Sequence, residues 1–156
     1  MDAGRARFLS DLEKIVAASH DRVASLREIA RLIRGYGGYR WVGLYDVDSK
    51  AGAVRNVVWS GPEAPEYPTF PIGKGLTGTA IAERRVVNVG DVSGDPRYLT
   101  ALGTTRSEII VPIFDSAKSA VVGTIDVESE LPNVFNEETE ALVQACAEMI
   151  RPLWNI

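Results

Sequence analysis

Two runs towards the C-terminal end constrain the fold more than anything else in the chain. Ile109 to Phe114 and Ala120 to Glu128 are its most strand-like segments, and Asp115-Ser116-Ala117-Lys118 turns between them. Period-two alternation on both sides of a polar turn reads as an antiparallel hairpin. A second hairpin is expected earlier. Trp41, Gly43 and Tyr45 alternate with Val42, Leu44 and Asp46, Asp48-Ser49-Lys50-Ala51-Gly52 turns, and Val54 to Trp59 returns.

Helices flank the hairpins. Phe8, Leu12, Ile15 and Val16 follow helical spacing, and so do Val23, Leu26, Ala30 and Ile33. Asp21 is the expected cap of the second helix, with a break near His20, and Gly35, Gly37 and Gly38 end it. A last helix is capped by Asn136, carries Glu137 and Glu138 in its first turn, and aligns Leu142, Ala145, Cys146, Met149, Ile150 and Leu153. Between the hairpins, Gly61 to Pro71 holds four prolines and reads as an extended loop. Leu76 to Arg84 reads as a short helix, Val86 to Val89 as a short strand, and Gly90 to Arg106 as a second long loop. The expected architecture is an α+β sheet with the terminal helices on one face and the two long loops over the other. Long loops in compact domains tend to be functional, so a pocket is expected beneath them. The 156 residues contain no repeat, linker or low-complexity tract, so residues 1–156 read as one domain.

Composition removes several function classes. One cysteine rules out an internal disulfide and a cysteine-rich metal site, and one histidine rules out a multi-histidine metal site. Seventeen basic and 21 acidic side chains give a net charge of −4, which argues against a nucleic-acid partner. The longest apolar runs are too short to cross a bilayer. The opening MDAGRARFLSDLEKIV is charged throughout and has no apolar core of the signal-peptide type, so the expectation is a cytoplasmic protein.

Three groups of residues bear chemistry. Gly73-Lys74-Gly75-Leu76-Thr77-Gly78 matches the dinucleotide fingerprint G-x-G-x-x-G, but proline-rich sequence precedes it and no βαβ unit surrounds it. These glycines read instead as a tight entry into a helix, whose free N–H groups at Leu76 to Thr79 suit an anion. In Thr124-Ile125-Asp126-Val127-Glu128, residues 124, 126 and 128 share one strand face, and the two carboxylates lie about 7 Å apart along the strand. Glu108 begins the preceding strand. Three carboxylates thus converge near one end of a sheet face, either as a solvated edge or as a site for a cationic group such as a ligand ammonium. A divalent metal is a further candidate with hard oxygen ligands, although the usual ligand-rich loop is missing. Trp41, Tyr45 and Trp59 on the first hairpin, with Tyr67 and Phe70 on the loop, read as core or as pocket wall. His20 reads as capping or exposed, and Cys146 as an inert buried thiol.

The ordered set of segments resembles a GAF domain: Trp41-Val42-Gly43-Leu44-Tyr45, Pro71-Ile72-Gly73-Lys74-Gly75-Leu76-Thr77-Gly78-Thr79-Ala80, Asp91-Val92, Ser107 to Ile113, Val122 to Ser129, and Phe135. Within that superfamily the chain is most similar to the free methionine-(R)-sulfoxide reductases, over about residues 8 to 154. The resemblance implies a six-stranded antiparallel sheet with helices behind and a ligand pocket in front. It also implies that acidic residues matching Glu108, Asp126 and Glu128 hold an amino-acid substrate, and that an early-strand tryptophan helps close the pocket. The reductases' loop cysteines fall here on Tyr67, Thr77 and Ala101, none of which can form or resolve a sulfenic acid. A haem would need an axial ligand, and His20 lies outside the expected pocket. A bilin would need a pocket cysteine, and the cyclic-nucleotide signature is not evident around Phe135. The reading is therefore a stand-alone, non-catalytic sensory module without metal or cofactor. It binds a small amine-bearing ligand through Trp41, Tyr45, Tyr67, Thr77, Glu108, Asp126 and Glu128. The competing readings are an enzyme using Asp126 and Glu128 as acid and base, and an interaction scaffold. A homodimer through the terminal helices, including Leu9 and Leu153, is also implied.

Overall fold

The computed structural model describes residues 2–99 and 102–154. Two helices open it, α1 (Ala3–Ala17) and α2 (Arg22–Gly37). The caps are local chemistry. The Asp21 carboxylate accepts from Ala24 N, and Gly38 closes α2 at φ 66°, a left-handed value that costs glycine little. His20 is exposed in the break between them. The strands β1 (Trp41–Asp48) and β2 (Ala53–Ser60) form the first hairpin. A short strand β3 (Thr69–Pro71), helix α3 (Gly75–Glu83), strand β4 (Val87–Val89) and a 3₁₀ turn at Val92–Gly94 follow. The second hairpin is β5 (Ser107–Phe114) and β6 (Val121–Ser129). Helix α4 (Glu137–Ile150), capped by Asn136 on Thr139 N, runs into a 3₁₀ turn at Arg151–Trp154.

The six strands form one antiparallel sheet in the order β3-β2-β1-β6-β5-β4. Its back face carries α1, α2 and α4. Leu12, Leu26, Ile29, Leu44, Ile125, Val127 and Ile150 meet there with no solvent exposure. Each such side chain stabilises the fold by roughly 1.5–3 kcal/mol. The front face carries α3, whose Leu76 and Ala80 pack on Ile110, and the two long connections. Among the described residues, no helix is long and apolar enough to cross a membrane.

The structure departs from the expectations at four places. Thr69–Pro71 is not loop but an edge strand on Ala53–Arg55, a position where a proline's missing N–H costs no ladder bond. Val57 is a bulge, since Leu44 pairs with Val58 and Tyr45 with Asn56. Val23, on the expected apolar stripe of α2, is 42% exposed, and Ile29 takes the buried position. On α4 the buried line is Val143, Cys146, Ala147 and Ile150, with Leu142, Ala145 and Met149 at its flank.

Candidate functional site

Strand register assembles the site. Glu108 on β5 lies opposite Glu128 on β6, while β1 sets Trp41 against Glu128, Gly43 against Asp126 and Tyr45 against Thr124. The pleat sends Thr124, Asp126 and Glu128 forward and Ile125 and Val127 back. Carboxylate oxygens of Glu108, Asp126 and Glu128 come within 4.8 Å of one another. They are not a solvated edge: the residues are 3%, 5% and 0% exposed.

Little compensates this buried charge. None of the ion pairs among the described residues involves these three side chains. Glu128 Oε1 accepts from Thr105 Oγ1 at 2.5 Å and has the Tyr98 hydroxyl 3.5 Å away. Glu128 Oε2, Asp126 Oδ1 and Thr124 Oγ1 are buried with no hydrogen-bond partner. Burial therefore pushes all three carboxyls up. Desolvation is the main cause throughout, and for Glu108 the neighbouring charges of Asp126 and Glu128 add to it. Asp126 rises to about 6, while Glu108 and Glu128 rise well above the ordinary glutamate value. The same desolvation, with the charge of Asp126, raises Tyr45.

Above the carboxylates lies a small cavity of about 20 Å³, enough for about one water. Tyr45, Tyr67, Phe70, Leu99, Glu108 and Asp126 line it, together with Gly75, Leu76 and Thr77 at the start of α3. That helix start is uncapped. Lys74 makes no side-chain cap bond, and the first helical bond runs from Gly78 N to Lys74 O. The N–H groups of Gly75 to Thr77 therefore have no partner within the helix. The glycines serve the entry itself. Gly75 sits at φ 72°, and a Cβ on Gly78 would lie 2.5 Å from the Gly73 backbone. Two of the carboxylates and the start of α3 thus line one small space. As a set, the three carboxylates also have the oxygen chemistry to hold a divalent metal.

The proposed site residues do not all meet in this cavity. Tyr45, Tyr67, Thr77, Glu108 and Asp126 line it, whereas Glu128 lies beneath, fully buried and held by Thr105. Trp41 does not reach the cavity. Its ring lies over Gly43, where a Cβ would come within 2.3 Å of it, and against Gly61. Its indole N–H donates to Glu63 O at 3.0 Å, which fastens the proline-rich connection to the sheet. Ala101, which falls on a cysteine position of the reductases, lies outside the described residues. Sequence reading missed Leu99, Tyr98 and Thr105. A loop threonine or tyrosine carries no periodic signal, and only the path of the chain brings them to Glu128.

The family model for the GAF domain matches residues 21–151. The chain belongs to the GAF family. A GAF domain-containing protein A of Dictyostelium discoideum is 26% identical over 85% of this chain and 81% of its own length. The free methionine-R-sulfoxide reductase of Escherichia coli is 24% identical over 97% of this chain and 81% of its own. Among solved structures, the free methionine-R-sulfoxide reductase of Neisseria meningitidis, in complex with its substrate, superposes with a TM-score of 0.88. It is 29% identical, covering 99% of this GAF domain and 91% of that chain. The GAF domain of an Acinetobacter phosphoenolpyruvate-protein phosphotransferase superposes at 0.86 with 16% identity, over 99% and 94% of the chains, a likeness of fold alone. This GAF domain therefore has both an enzyme and a phosphotransferase-attached module among its structural relatives. Its only cysteine, Cys146, is 1% exposed on the back of the sheet, and burial pushes its thiol up to about 12.

Proposed function

We propose that this GAF domain is a non-catalytic binding module whose cavity takes a small zwitterionic amine of the free amino-acid class. The observation that carries the reading is the buried carboxylate cluster, with an unpartnered oxygen on the cavity-lining Asp126 and, among the described residues, no ion pair to any of its three members. A ligand ammonium supplies the missing donors and the missing charge. Gly75 to Thr77, whose N–H groups have no partner within the helix, line the same cavity, and a helix start suits a ligand carboxylate. The Neisseria relative, named for a free amino-acid sulfoxide and solved with its substrate, supports the same ligand class. The module lacks the thiols that such a reduction needs at the cavity: Tyr67 and Thr77 line it where the reductases are expected to have them, and Cys146 lies behind the sheet. A cavity of about 20 Å³ is too small for an amino acid, so binding requires lining side chains such as the 44% exposed Tyr67 to move aside. We also propose that two copies associate through α1 and α4; a monomer mass by light scattering at tens of micromolar overturns that part.

The test is a thermal-shift screen of free amino acids, simple amines, and calcium and magnesium salts against the wild type and Asp126→Asn. A charge-assisted hydrogen bond contributes about 1.5–3 kcal/mol, so the substitution lowers amine affinity roughly tenfold to a hundredfold. Stabilisation by the metals alone, or an equal response of both proteins to amines, defeats the reading. Thiol-dependent reduction of free methionine sulfoxide above background defeats its non-catalytic part.

A further inference from the structure

The second charged feature of the molecule lies on the other side of the sheet. Arg27, Arg31 and Arg34 occupy positions i, i+4 and i+7 of α2, one face of the helix over roughly 10 Å. Like charges at such spacings destabilise a helix. Nine arginines elsewhere in the chain form ion pairs, but none of these three does among the described residues. Arg34 Nε is held by the carbonyls of Tyr39 and Arg40, while Arg27 and Arg31 are exposed. Glu28, the one acid on α2, pairs with neither. The three arginines form one wall of an open groove of about 460 Å³, and residues 56–61 of β2 and its end form the other.

That second wall is an open sheet edge. The strand β3 borders only Ala53–Arg55, and Pro68 O takes the amide of Asn56. No strand borders the outer side of β2 from Val57 to Ser60 among the described residues. The Asn56 side-chain amide reaches along the strand to occupy Val58 O at 3.0 Å. Trp59 pairs with Gly43, so its 36% exposed ring stands on the front face and its backbone borders the groove. Open strand edges accept a further strand, and arginine is enriched at protein interfaces.

We propose that this groove docks an extended acidic segment of a partner protein, which adds as a strand to Val57–Ser60 and pairs its carboxylates with Arg27 and Arg31. The spacings agree. Alternate residues of a strand stand about 6.6 Å apart, and Arg27 and Arg31 are separated by about 6 Å of helix rise. A short segment with a few carboxylates suits a protein of net charge −4 better than a long phosphodiester chain does, because only the local patch is basic. The groove shares no lining residue with the acidic cavity, so the proposal stands apart from the ligand reading.

The experiment uses fluorescein-labelled decapeptides of alternating glutamate and valine, the lysine–valine counterpart, and a twelve-nucleotide single-stranded DNA, followed by anisotropy and amide chemical shifts. The glutamate peptide is expected to bind, to shift the amides of Val57 to Ser60 and of α2, and to weaken as salt is raised. Arg27→Glu/Arg31→Glu should lower its affinity at least tenfold, and Arg27→Gln/Arg31→Gln serves where the charge reversal fails to fold. Asp126→Asn should leave peptide binding unchanged. No binding of the glutamate peptide, equal binding of the lysine peptide, insensitivity to both arginine variants, or tighter binding of the DNA through the same amides overturns the proposal.

Discussion

The two faces of β6 carry opposite chemistry at the same depth. Ile125 and Val127 on the back are 0% exposed, and Asp126 and Glu128 on the front are 5% and 0% exposed. On the back, burial is its own reward: apolar area leaves water and packs against α1, α2 and α4. On the front, burial opposes the residues placed there, since desolvating a carboxylate without a partner is costly. A fold does not place three such groups together for stability. The comparison separates residues that hold the sheet from residues that the sheet holds.

The largest effect is expected from breaking the back face. Ile125→Ala removes a fully buried side chain between β1, β5 and the helices, and should cost about 2–5 kcal/mol. Chemical denaturation measures it. The front-face counterpart, Asp126→Asn, should not destabilise the empty protein at all. If both substitutions cost the same, the two faces do not differ in kind.

Next comes the bed of the tryptophan. Gly43 lies opposite Asp126 in the register and under the Trp41 ring. Gly43→Ala places a Cβ about 2.3 Å from that ring, so the indole has to leave its position and its bond to Glu63 O. Overpacking of this kind costs roughly 1–3 kcal/mol. Faster proteolysis or amide exchange in residues 61–68 should accompany the loss. Unchanged protection of that segment would show that Trp41 does not fasten it.

These contrasts also mark what the sequence made legible. The period of two alone puts Asp126 and Glu128 on one face and Ile125 and Val127 on the other, because the pleat admits no other arrangement. The convergence of Glu108 follows from the short turn between β5 and β6. Whether those carboxylates face water or a cavity was not legible. That depends on where residues 61–68, 90–99 and 102–106 travel, and long-range bonds such as Trp41 to Glu63 O and Thr105 to Glu128 fix points on their course. The edge strand at Phe70 was hidden by the prolines around it. The arginine line of α2 was visible as spacing, but its meaning needed the open edge of β2 beside it.

A smaller effect sharpens the comparison through pH. Asp126 has a folded value of about 6 against an ordinary 3.8, raised by burial. Between those values the folded chain holds a proton that the unfolded chain has released. The stability linked to this group is therefore full below about pH 4 and is lost as the pH rises through about 6, with Glu108 and Glu128 extending the loss upwards. The empty protein should be on the order of 1–2 kcal/mol more stable near pH 5 than near pH 8 through this cluster. Asp126→Asn should flatten that slope. Asp91 works in the opposite sense: hydrogen bonds from Ser93 and Arg106 hold it down at about 2, and its contribution is lost only as the pH falls towards that value. A wild-type stability that rises from pH 5 to pH 8, or a slope unchanged in the variant, contradicts the assignment of buried, uncompensated charge.

The smallest effect belongs to a buried thiol on the back face. Cys146 is 1% exposed within the same cluster as Ile125, and burial pushes its thiol up to about 12. A thiol at that value is neither nucleophile nor reductant at neutral pH, because the reactive species is the thiolate. It acts as a small apolar side chain. Cys146→Ala should therefore cost no more than about 1 kcal/mol and leave both the amine response and the acidic-peptide response of the wild type intact. The decisive measurement is thiol labelling under native conditions. If Cys146 is only packing, its labelling rate follows global unfolding and changes in step with Ile125→Ala, which loosens the core around it. Rapid labelling of the native protein, or labelling slowed by an amine bound at the front, would instead connect the thiol to the cavity and dissolve the division between the two faces.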